Sequence, residues 1–240
     1  LNINIKFYFS YLIFKKHPEL LKNIDMIFLW GDKVANELKE AFPKYKNIYV
    51  VGWPNLDLIR YNCYSSPKKT IGFVMRSPAI NDHQGVPTIR TISNKGNLER
   101  IIHQCEAFVS SFDCIKEVLE KTNYNVSIRP HPLEQIESYI KYKKFWFKQY
   151  ASRVFIDDTL CFSEWLRSQR LIISPTSTSL LEAYLLKVPV INIDYLAGNA
   201  KYNRDYAVTT AEWQSSAYLP KTMKKFIQLI KNKKCKVTKN

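Results

Sequence analysis

The sequence predicts an α/β protein organised around a doubly wound, parallel β-sheet. Segments typical of strands and helices alternate five times after residue 70, which is the pattern of βαβ units. The strand-like segments are continuous apolar runs, which indicates strands that are covered on both faces. The 240 residues include only 6 glycines and few turn dipeptides, which disfavours an all-β fold. Hydrophobic residues make up 46% of the chain, enough for a sizeable core.

The first part of the chain predicts one βαβ unit. Residues 24–30 and 47–51 are apolar runs typical of buried strands, and residues 32–42 carry apolar side chains at helical spacing. Pro43 ends that helix. We expect residues 1–51 to be the end of an N-terminal α/β domain. Because the chain does not begin with Met, we expect it to be a piece of a longer protein.

A linker and a second domain are predicted to follow. Prolines, paired serines and paired lysines punctuate residues 52–69, which is typical of an interdomain linker. We expect the second domain to span residues 70–200 and a basic C-terminal extension to span residues 201–240. Within that extension, residues 221–240 are helix-like and end in a lysine-rich run, which favours a solvated end.

The second domain is expected to alternate strands and helices along its whole length. The apolar runs place the strands at residues 70–75, 125–128, 153–156, 171–173 and 188–193. Apolar side chains at helical spacing place the helices at residues 98–121, 133–150, 160–169 and 180–186. Asp157 or Asp158 could cap the third of these helices. The polar loop 77–97 is long, and such loops are usually functional or disordered.

The formal net charge is +15, and three interpretations of it compete. The basic residues could contact an anionic membrane surface, bind nucleic acid, or reflect a composition rich in Lys, Asn and Ile. Nucleic-acid binding is the least favoured, because the sequence has no zinc-finger spacing, no aromatic RNP pattern and no helix-turn-helix pattern. No apolar run reaches the roughly 18 residues that a membrane span requires.

Several kinds of site lack their usual sequence motifs. The five cysteines are scattered and never form a CxxC pair, which disfavours disulfides and structural zinc and favours a reducing cytoplasm. The four histidines are far apart, and neither HExxH nor DxD is present, so we expect no metal site. The sequence also lacks GxSxG, P-loop and GxGxxG motifs, which disfavours a hydrolase, a kinase or a dehydrogenase.

In an open parallel sheet, ligands bind beyond the carboxyl ends of the strands. The turn after the fourth strand is crowded with hydroxyl residues: Ser174, Thr176, Ser177, Thr178 and Ser179. Free N–H groups and the helix dipole at such a turn attract phosphate, and the hydroxyls add hydrogen-bond donors. Alternatively, Ser179 caps the following helix, Glu182 is its capping-box partner, and no ligand binds.

The turn after the second strand offers a cation and an imidazole. Pro130 and Pro132 stiffen this turn on either side of His131. Arg129 can bind phosphate as a planar fork, and His131 can donate a hydrogen bond or a proton to a leaving phosphate. Alternatively, His131 is a structural residue that bonds to a backbone carbonyl.

The loop after the first strand supplies further polar side chains. Arg76 could bind the same ligand as the two turns, and the loop could cover that ligand or reach a second substrate. Asp82 and His83 could form an acid/base pair, although two adjacent polar residues are common in a polar loop.

Three stretches resemble the GT-B fold glycosyltransferases with which bacteria build surface polysaccharides. They are residues 30–59, the segment SIRPHPLE at residues 127–134, and the hydroxyl-rich turn with its helix and strand at residues 174–194. The pairs His131-Pro132 and Ser177-Thr178 also resemble transferases that use CMP-activated acidic sugars such as sialic acid or Kdo. Lys187 stands where the surface-polysaccharide glycosyltransferases of GT-B fold commonly have Gly.

This resemblance implies a GT-B-like fold in which residues 1–51 belong to the acceptor-side domain and residues 70–200 bind a nucleotide-sugar. It implies catalytic roles for His131 and Arg129, which would stabilise the departing nucleotide. Glu182 would bond the ribose hydroxyls. The resemblance implies that Ser177, Thr178 and Glu182 bind the donor. The loop and the hydroxyl-rich turn described above add Arg76, Thr176 and Ser179 to this donor-binding set.

The resemblance also implies the reaction and its place. It implies an enzyme that transfers a sugar without metal or other cofactor, with a CMP-linked donor among the candidates. The acceptor would be a glycan or lipid-linked glycan of a capsule or lipopolysaccharide. The protein would be cytoplasmic, peripheral at the inner face of the cytoplasmic membrane. The catalytic base would lie outside this chain, so we expect the chain alone to be inactive.

Other functions fit parts of the same pattern. A polyol-phosphate transferase of teichoic-acid type also has a His-Pro turn and a hydroxyl-rich helix start, and a sugar-nucleotide 2-epimerase shares the architecture. A module that binds nucleotide or carbohydrate without catalysis would keep the fold alone. A basic nucleic-acid-binding protein would show salt-sensitive, sequence-independent binding to DNA.

Overall fold

A computed structural model describes residues 18–52, 70–77, 81, 98–158, 161–175, 177–197 and 217–232. The chain divides into two compact units, Leu1–Cys63 and Tyr64–Asn240. This division falls inside the segment 52–69 that the sequence predicts to be a linker, most of which lies outside the described residues. In the described part of the chain, no helix combines the length and apolar character needed to cross a bilayer.

The first unit contains the predicted βαβ unit. Strand β1 (Ile27–Leu29) leads into helix α1 (Asp32–Ala41) and then into strand β2 (Ile48–Val50), which pairs with β1 in parallel. A short 3-10 helix, Pro18–Asn23, precedes β1. The core of the unit comprises the buried side chains of Leu21, Ile27, Ala35, Leu38 and Ile48.

The second unit is a parallel sheet with helices between its strands. Its strands are β3 (Thr70–Val74), β4 (Asn125–Arg129), β5 (Val154–Ile156), β6 (Gln169–Ser174) and β7 (Val190–Asn192). Its helices are α2 (Leu98–Lys121), α3 (Ile136–Phe147), α4 (Phe162–Ser168), α5 (Thr178–Leu185) and α6 (Met223–Lys231). The strand order is β5-β4-β3-β6-β7, and every pair is parallel.

Helices cover both faces of this sheet, which confirms the doubly wound fold. Ile71 and Phe73 of β3 face a large core shared with α2, α3 and α6. Val74 faces a second core formed with α4 and α5. Gly72 lies on this second face, where an added Cβ would come within 2.7 Å of side-chain atoms of Gln169 and Ile172. A continuous apolar run is therefore needed, because alternate residues enter different cores.

Helices α3 and α4 differ in their boundaries from the sequence prediction. The helix expected at residues 133–150 is shorter, because residues 131–135 form a turn and the 3-10 helix Lys148–Arg153 follows α3. Helix α4 has Cys161 as its N-cap rather than Asp157 or Asp158, and Cys161 makes no side-chain cap hydrogen bond.

The C-terminal segment also differs from its prediction. The interpretation of residues 221–240 as a solvated end is wrong for α6, whose Phe226, Ile227 and Ile230 are buried in the larger core. Tyr218 forms a parallel bridge with Ile191, next to the edge strand β7. The basic composition hid an amphipathic helix, because its lysines occupy only the outer face.

Candidate functional site

Three segments meet at the carboxyl edge of the second unit's sheet, because β3 lies between β4 and β6. The backbone N–H of Met75, just after β3, donates to the carbonyl of Arg129 at 2.9 Å. The buried Ser174 hydroxyl, at the end of β6, donates to the carbonyl of Val74 at 2.9 Å. The segments that begin at residues 75, 130 and 175 therefore leave the sheet side by side, as the sequence predicts.

His131 is held in one orientation by its own turn. Its Nδ1 accepts a hydrogen bond from the backbone N–H of Leu133 at 3.1 Å. An accepting Nδ1 leaves the proton of the neutral ring on Nε2. Burial lowers the pKa of His131 below its ordinary value, and the positive charge of Arg76 lowers it further. His131 is therefore a neutral hydrogen-bond donor near pH 7 rather than a cation.

Glu134 organises this turn, and it was not predicted from the sequence to be a site residue. Its carboxylate is 1% exposed and accepts hydrogen bonds from the backbone N–H of Ser77 at 2.9 Å and of His131 at 2.6 Å. The buried hydroxyl of Tyr139 also donates to it, at 2.9 Å. Burial raises the pKa of Glu134, and the three hydrogen bonds oppose that rise. The carboxylate thus joins the segment after β3 to the turn after β4.

Arg129 faces protein groups on the side of the sheet that α4 covers. Its guanidinium pairs with the Asp157 carboxylate and lies 5.8 Å from the centre of the Phe162 ring. The side chain is 13% exposed, against 23% for that of Asp157. Asp157, which the sequence suggested as a helix cap, instead partners Arg129. At least one guanidinium nitrogen is therefore engaged within the protein.

The hydroxyl-rich turn after β6 starts helix α5. Ser177 is the N-cap and is buried, and its Oγ accepts from the backbone N–H of Ser179 at 3.3 Å. Thr178 and Ser179 are half-buried in the first turn. The capping-box interpretation of Ser179 with Glu182 is wrong, because the helix begins two residues earlier than that motif requires. Thr176 lies outside the described residues.

Glu182 is half-buried one turn into α5. Among the described residues, no side chain or backbone group donates a hydrogen bond to its carboxylate. Burial alone raises the pKa of Glu182 to about 7. A carboxyl group that is desolvated without a protein donor has its hydrogen-bonding capacity open to a ligand.

Charged groups from distant parts of the sequence lie at the same edge. Arg76 is exposed directly after β3, and its charge acts on both His131 and His103. Burial lowers the pKa of His103, a change that the Asp194 and Glu106 carboxylates oppose and Arg76 reinforces. His103 and Asp194 were not predicted from the sequence, although the position of Asp194 just past β7 could have indicated Asp194.

Two further expectations concern the loop and metals. Asp82 and His83 lie outside the described residues. Within the residues that the structure describes, no group of three His, Cys, Asp or Glu side chains is arranged to hold a metal ion.

Comparisons with known proteins find relatives of the fold. No protein-family model and no curated protein matches the chain. The wall teichoic acid polymerase TagF matches with a TM-score of 0.51 and 15% identity, over 97% of this chain and 55% of TagF. The UDP-GlcNAc 2-epimerase from Methanocaldococcus jannaschii matches with a TM-score of 0.50 and 15% identity, over 91% and 58%.

The chain therefore spans a little over half the length of these two solved structures. At this level of identity the likeness shows the fold, an α/β fold of GT-B type with Rossmann-like parallel sheets.

Proposed function

We propose that this chain is the donor-binding part of a GT-B glycosyltransferase, which transfers a sugar from a nucleotide-activated donor to a growing surface glycan. One observation carries the proposal. A neutral His131 and the hydroxyl-rich start of α5 follow β4 and β6, the two strands that flank β3. Hydrogen-bond donors at that edge of the sheet suit a phosphate group. The Glu182 carboxylate, nearby along α5, suits the hydroxyls of a ribose.

The proposed roles follow from the chemistry of each group. The donor phosphates bind at the N-terminus of α5, with hydroxyls from Thr176, Ser177, Thr178 and Ser179. The Nε2–H of His131 donates to the leaving phosphate as its charge grows, which is electrostatic stabilisation of the transition state. A neutral imidazole performs this role at pH 7 without first gaining a proton.

Arg129, Arg76 and Glu182 complete the proposed site. Arg129 supports the site through its pair with Asp157 and adds positive charge that attracts a phosphate. Arg76 adds an exposed positive charge to the rim. The Glu182 carboxylate accepts hydrogen bonds from the two ribose hydroxyls, and this pairing would lower its pKa on binding.

The finer assignments belong to the same proposal. We propose a CMP-linked acidic sugar as the donor and a lipid-linked glycan of a capsule or lipopolysaccharide as the acceptor. The transfer needs no metal, because neutral and cationic side chains stabilise the negative charge of the leaving nucleotide. The catalytic base comes from outside this chain, and the enzyme acts at the inner face of the cytoplasmic membrane.

Isothermal titration tests the donor site. The chain is titrated with CMP, UDP, CDP and GDP, and so are the variants His131→Ala and Ser177→Ala/Thr178→Ala. We expect one nucleotide, CMP, to bind best and each variant to weaken that binding at least about tenfold, the loss of a charge-assisted hydrogen bond.

The matched control is Ser168→Ala, which removes the hydroxyl of an exposed residue at the C-terminal end of α4 and should leave binding unchanged. Each variant is first checked for an unaltered circular dichroism spectrum. A folded chain that binds no nucleotide, or binds it equally well without His131 and without both hydroxyls, would contradict the proposed site. A preference for UDP or CDP would keep the site and correct the donor.

A further inference from the structure

The outer face of α3 carries apolar and basic side chains together. Phe145 is 73% exposed and Ile140 is 46% exposed, although both are large hydrophobic residues. Lys141 and Lys144 are exposed on the same helix, and Lys148 is exposed directly after it. Exposed apolar side chains that are rimmed by polar residues are typical of a protein or membrane interaction site.

The helix itself is firmly anchored by its inner face, so the outer face is a fixed surface. Tyr139 and Phe147 are fully buried, and the Phe147 ring stacks on Phe112 of α2 at 5.4 Å between centroids. Trp146 contacts Phe112 edge-on at 5.5 Å. The core is thus filled by other aromatic residues, and Phe145 is left outside it.

Helical spacing arranges the outer side chains in two adjacent rows. Ile140 and Lys144 lie four residues apart in one row, and Lys141 and Phe145 lie four residues apart in the next. Each row therefore pairs one apolar side chain with one ammonium group. Glu137 is the one exposed carboxylate of α3, so with Lys148 included the face keeps an excess of positive charge.

We propose that this outer face of α3 (Ile140, Lys141, Lys144, Phe145 and Lys148) is a docking surface for an anionic lipid bilayer. The ammonium groups contact lipid phosphates, while the two apolar side chains enter the boundary between headgroups and acyl chains. The net charge of +15 draws the chain towards such a surface, and Phe145 distinguishes a bilayer from other polyanions.

An exposed apolar residue also lies in the turn between the candidate site and α3. Leu133 is 54% exposed and lies in the turn before α3, and its backbone N–H donates to His131. Docking through α3 would bring the rim of that turn to the membrane face, where a lipid-linked substrate would be presented. Lipid binding does not itself depend on the proposed transfer activity, so the two proposals can fail separately.

Vesicle flotation tests this surface with the 240-residue chain. Vesicles of phosphatidylcholine alone are compared with vesicles that contain about one third phosphatidylglycerol. We expect binding to the anionic vesicles only, and we expect it to fall as salt rises. The variant Lys141→Glu/Lys144→Glu/Lys148→Glu should lower the partition coefficient at least about 100-fold, since each lysine near an anionic surface contributes about a factor of five.

The matched control reverses three exposed lysines in the first unit, Lys39→Glu/Lys44→Glu/Lys46→Glu, with the same change in net charge. This control should lower binding less than about threefold, because its lysines do not belong to the docking surface and change only the net charge. An equal loss in the two triple variants, or equal binding to neutral and anionic vesicles, would overturn the proposal.

Phe145 tests the apolar part of the docking surface. Phe145→Ser should lower the partition coefficient about tenfold, whereas Phe145→Trp should preserve it, because Trp favours the membrane interface. The control Val34→Ser removes an apolar side chain that is 41% exposed in the first unit and should change nothing. If Phe145→Ser binds as well as the unsubstituted chain, and single-stranded DNA displaces both equally, the surface is a general polyanion site and the proposal is wrong.

Discussion

Two turns at the same edge of the sheet satisfy their polar groups in opposite ways. In the turn after β4, the Glu134 carboxylate is buried and accepts three hydrogen bonds from the protein. After β6, the described residues donate no hydrogen bond to Glu182, one turn into α5, although burial raises its pKa to about 7. The first turn is completed by the protein itself. The second keeps polar capacity that a ligand could use.

This difference separates the residues that build the site from those that would contact the donor. Glu134 cannot reach a ligand without leaving its three donors unpaired, so its effect should be on stability and on the position of His131. Glu182 and the hydroxyls of α5 should affect binding more than stability. Substitutions in the two turns test this separation.

The largest expected effect comes from Glu134→Ala. Removal of the carboxylate leaves the N–H groups of Ser77 and His131 and the hydroxyl of Tyr139 without an acceptor in a buried place. We expect the free energy of unfolding to fall by about 3–5 kcal/mol, measured by urea denaturation. Tyr139→Phe removes only one of the three bonds and should cost about 1 kcal/mol. If Glu134→Ala costs no more than Tyr139→Phe, the turn is not held by this carboxylate.

A pH-dependent effect is expected from Glu182→Gln. The folded-state pKa of Glu182 is raised to about 7, above its value in the unfolded chain, so its ionisation on raising the pH destabilises the folded state. Stability should be similar in both proteins near pH 4. It should then fall in the unsubstituted chain relative to the variant as pH rises through 7.

At pH 8.5 the Glu182→Gln variant should be more stable by about 1–3 kcal/mol, a range that allows for solvent screening at this half-buried position. Thermal denaturation across the pH range provides the measurement. A variant that is less stable than the unsubstituted chain at pH 8.5 would mean that Glu182 has a stabilising protein partner, and the contrast between the two turns would disappear.

A smaller effect distinguishes the two serines at the start of α5. Ser177→Ala removes the N-cap acceptor and should lower stability by about 1 kcal/mol. Ser179→Ala should change stability by less than about 0.5 kcal/mol, because Ser179 lies inside the helix. Chemical denaturation of both variants makes the comparison. The reverse order would restore the capping-box interpretation.

The smallest expected effect lies at the other end of α5. Lys187 adopts a φ of 59°, the left-handed conformation that usually ends a helix at Gly. Lys187→Gly should therefore raise the free energy of unfolding by up to about 1 kcal/mol. Lys187→Ala keeps the strained conformation and serves as the control. Equal stability of the Gly and Ala variants would show that the backbone relaxes without cost.

The strands could be predicted from the sequence, whereas the packing of side chains at their ends could not. Ile71 and Phe73 belong to an apolar run that only a doubly covered strand needs, so the sheet followed from the pattern. The boundaries of α5 were less certain, because several adjacent hydroxyl residues could each serve as its N-cap. The burial of α6 was missed, because a high lysine content hid its apolar stripe.

Site residues could be predicted where the local sequence itself indicates their chemistry. They were missed where only the three-dimensional fold brings the interacting groups together. His131 stands between two prolines at a strand end, and that context is visible in the sequence. Glu134 becomes an acceptor for Ser77 only because β3 and β4 are neighbours in the sheet. His103 and Asp194 come from a helix and a strand end that are far apart along the chain, so nothing in the local sequence shows that their charges interact.

Hydrogen–deuterium exchange with and without saturating CMP tests most directly whether a nucleotide binds at the start of α5. We predict that amides of residues 177–182 become protected on binding. Amides of residues 131–135 should change little, because Glu134 already holds that turn. Protection confined to the first unit, or no change in residues 177–182 when titration shows CMP bound, would contradict the account.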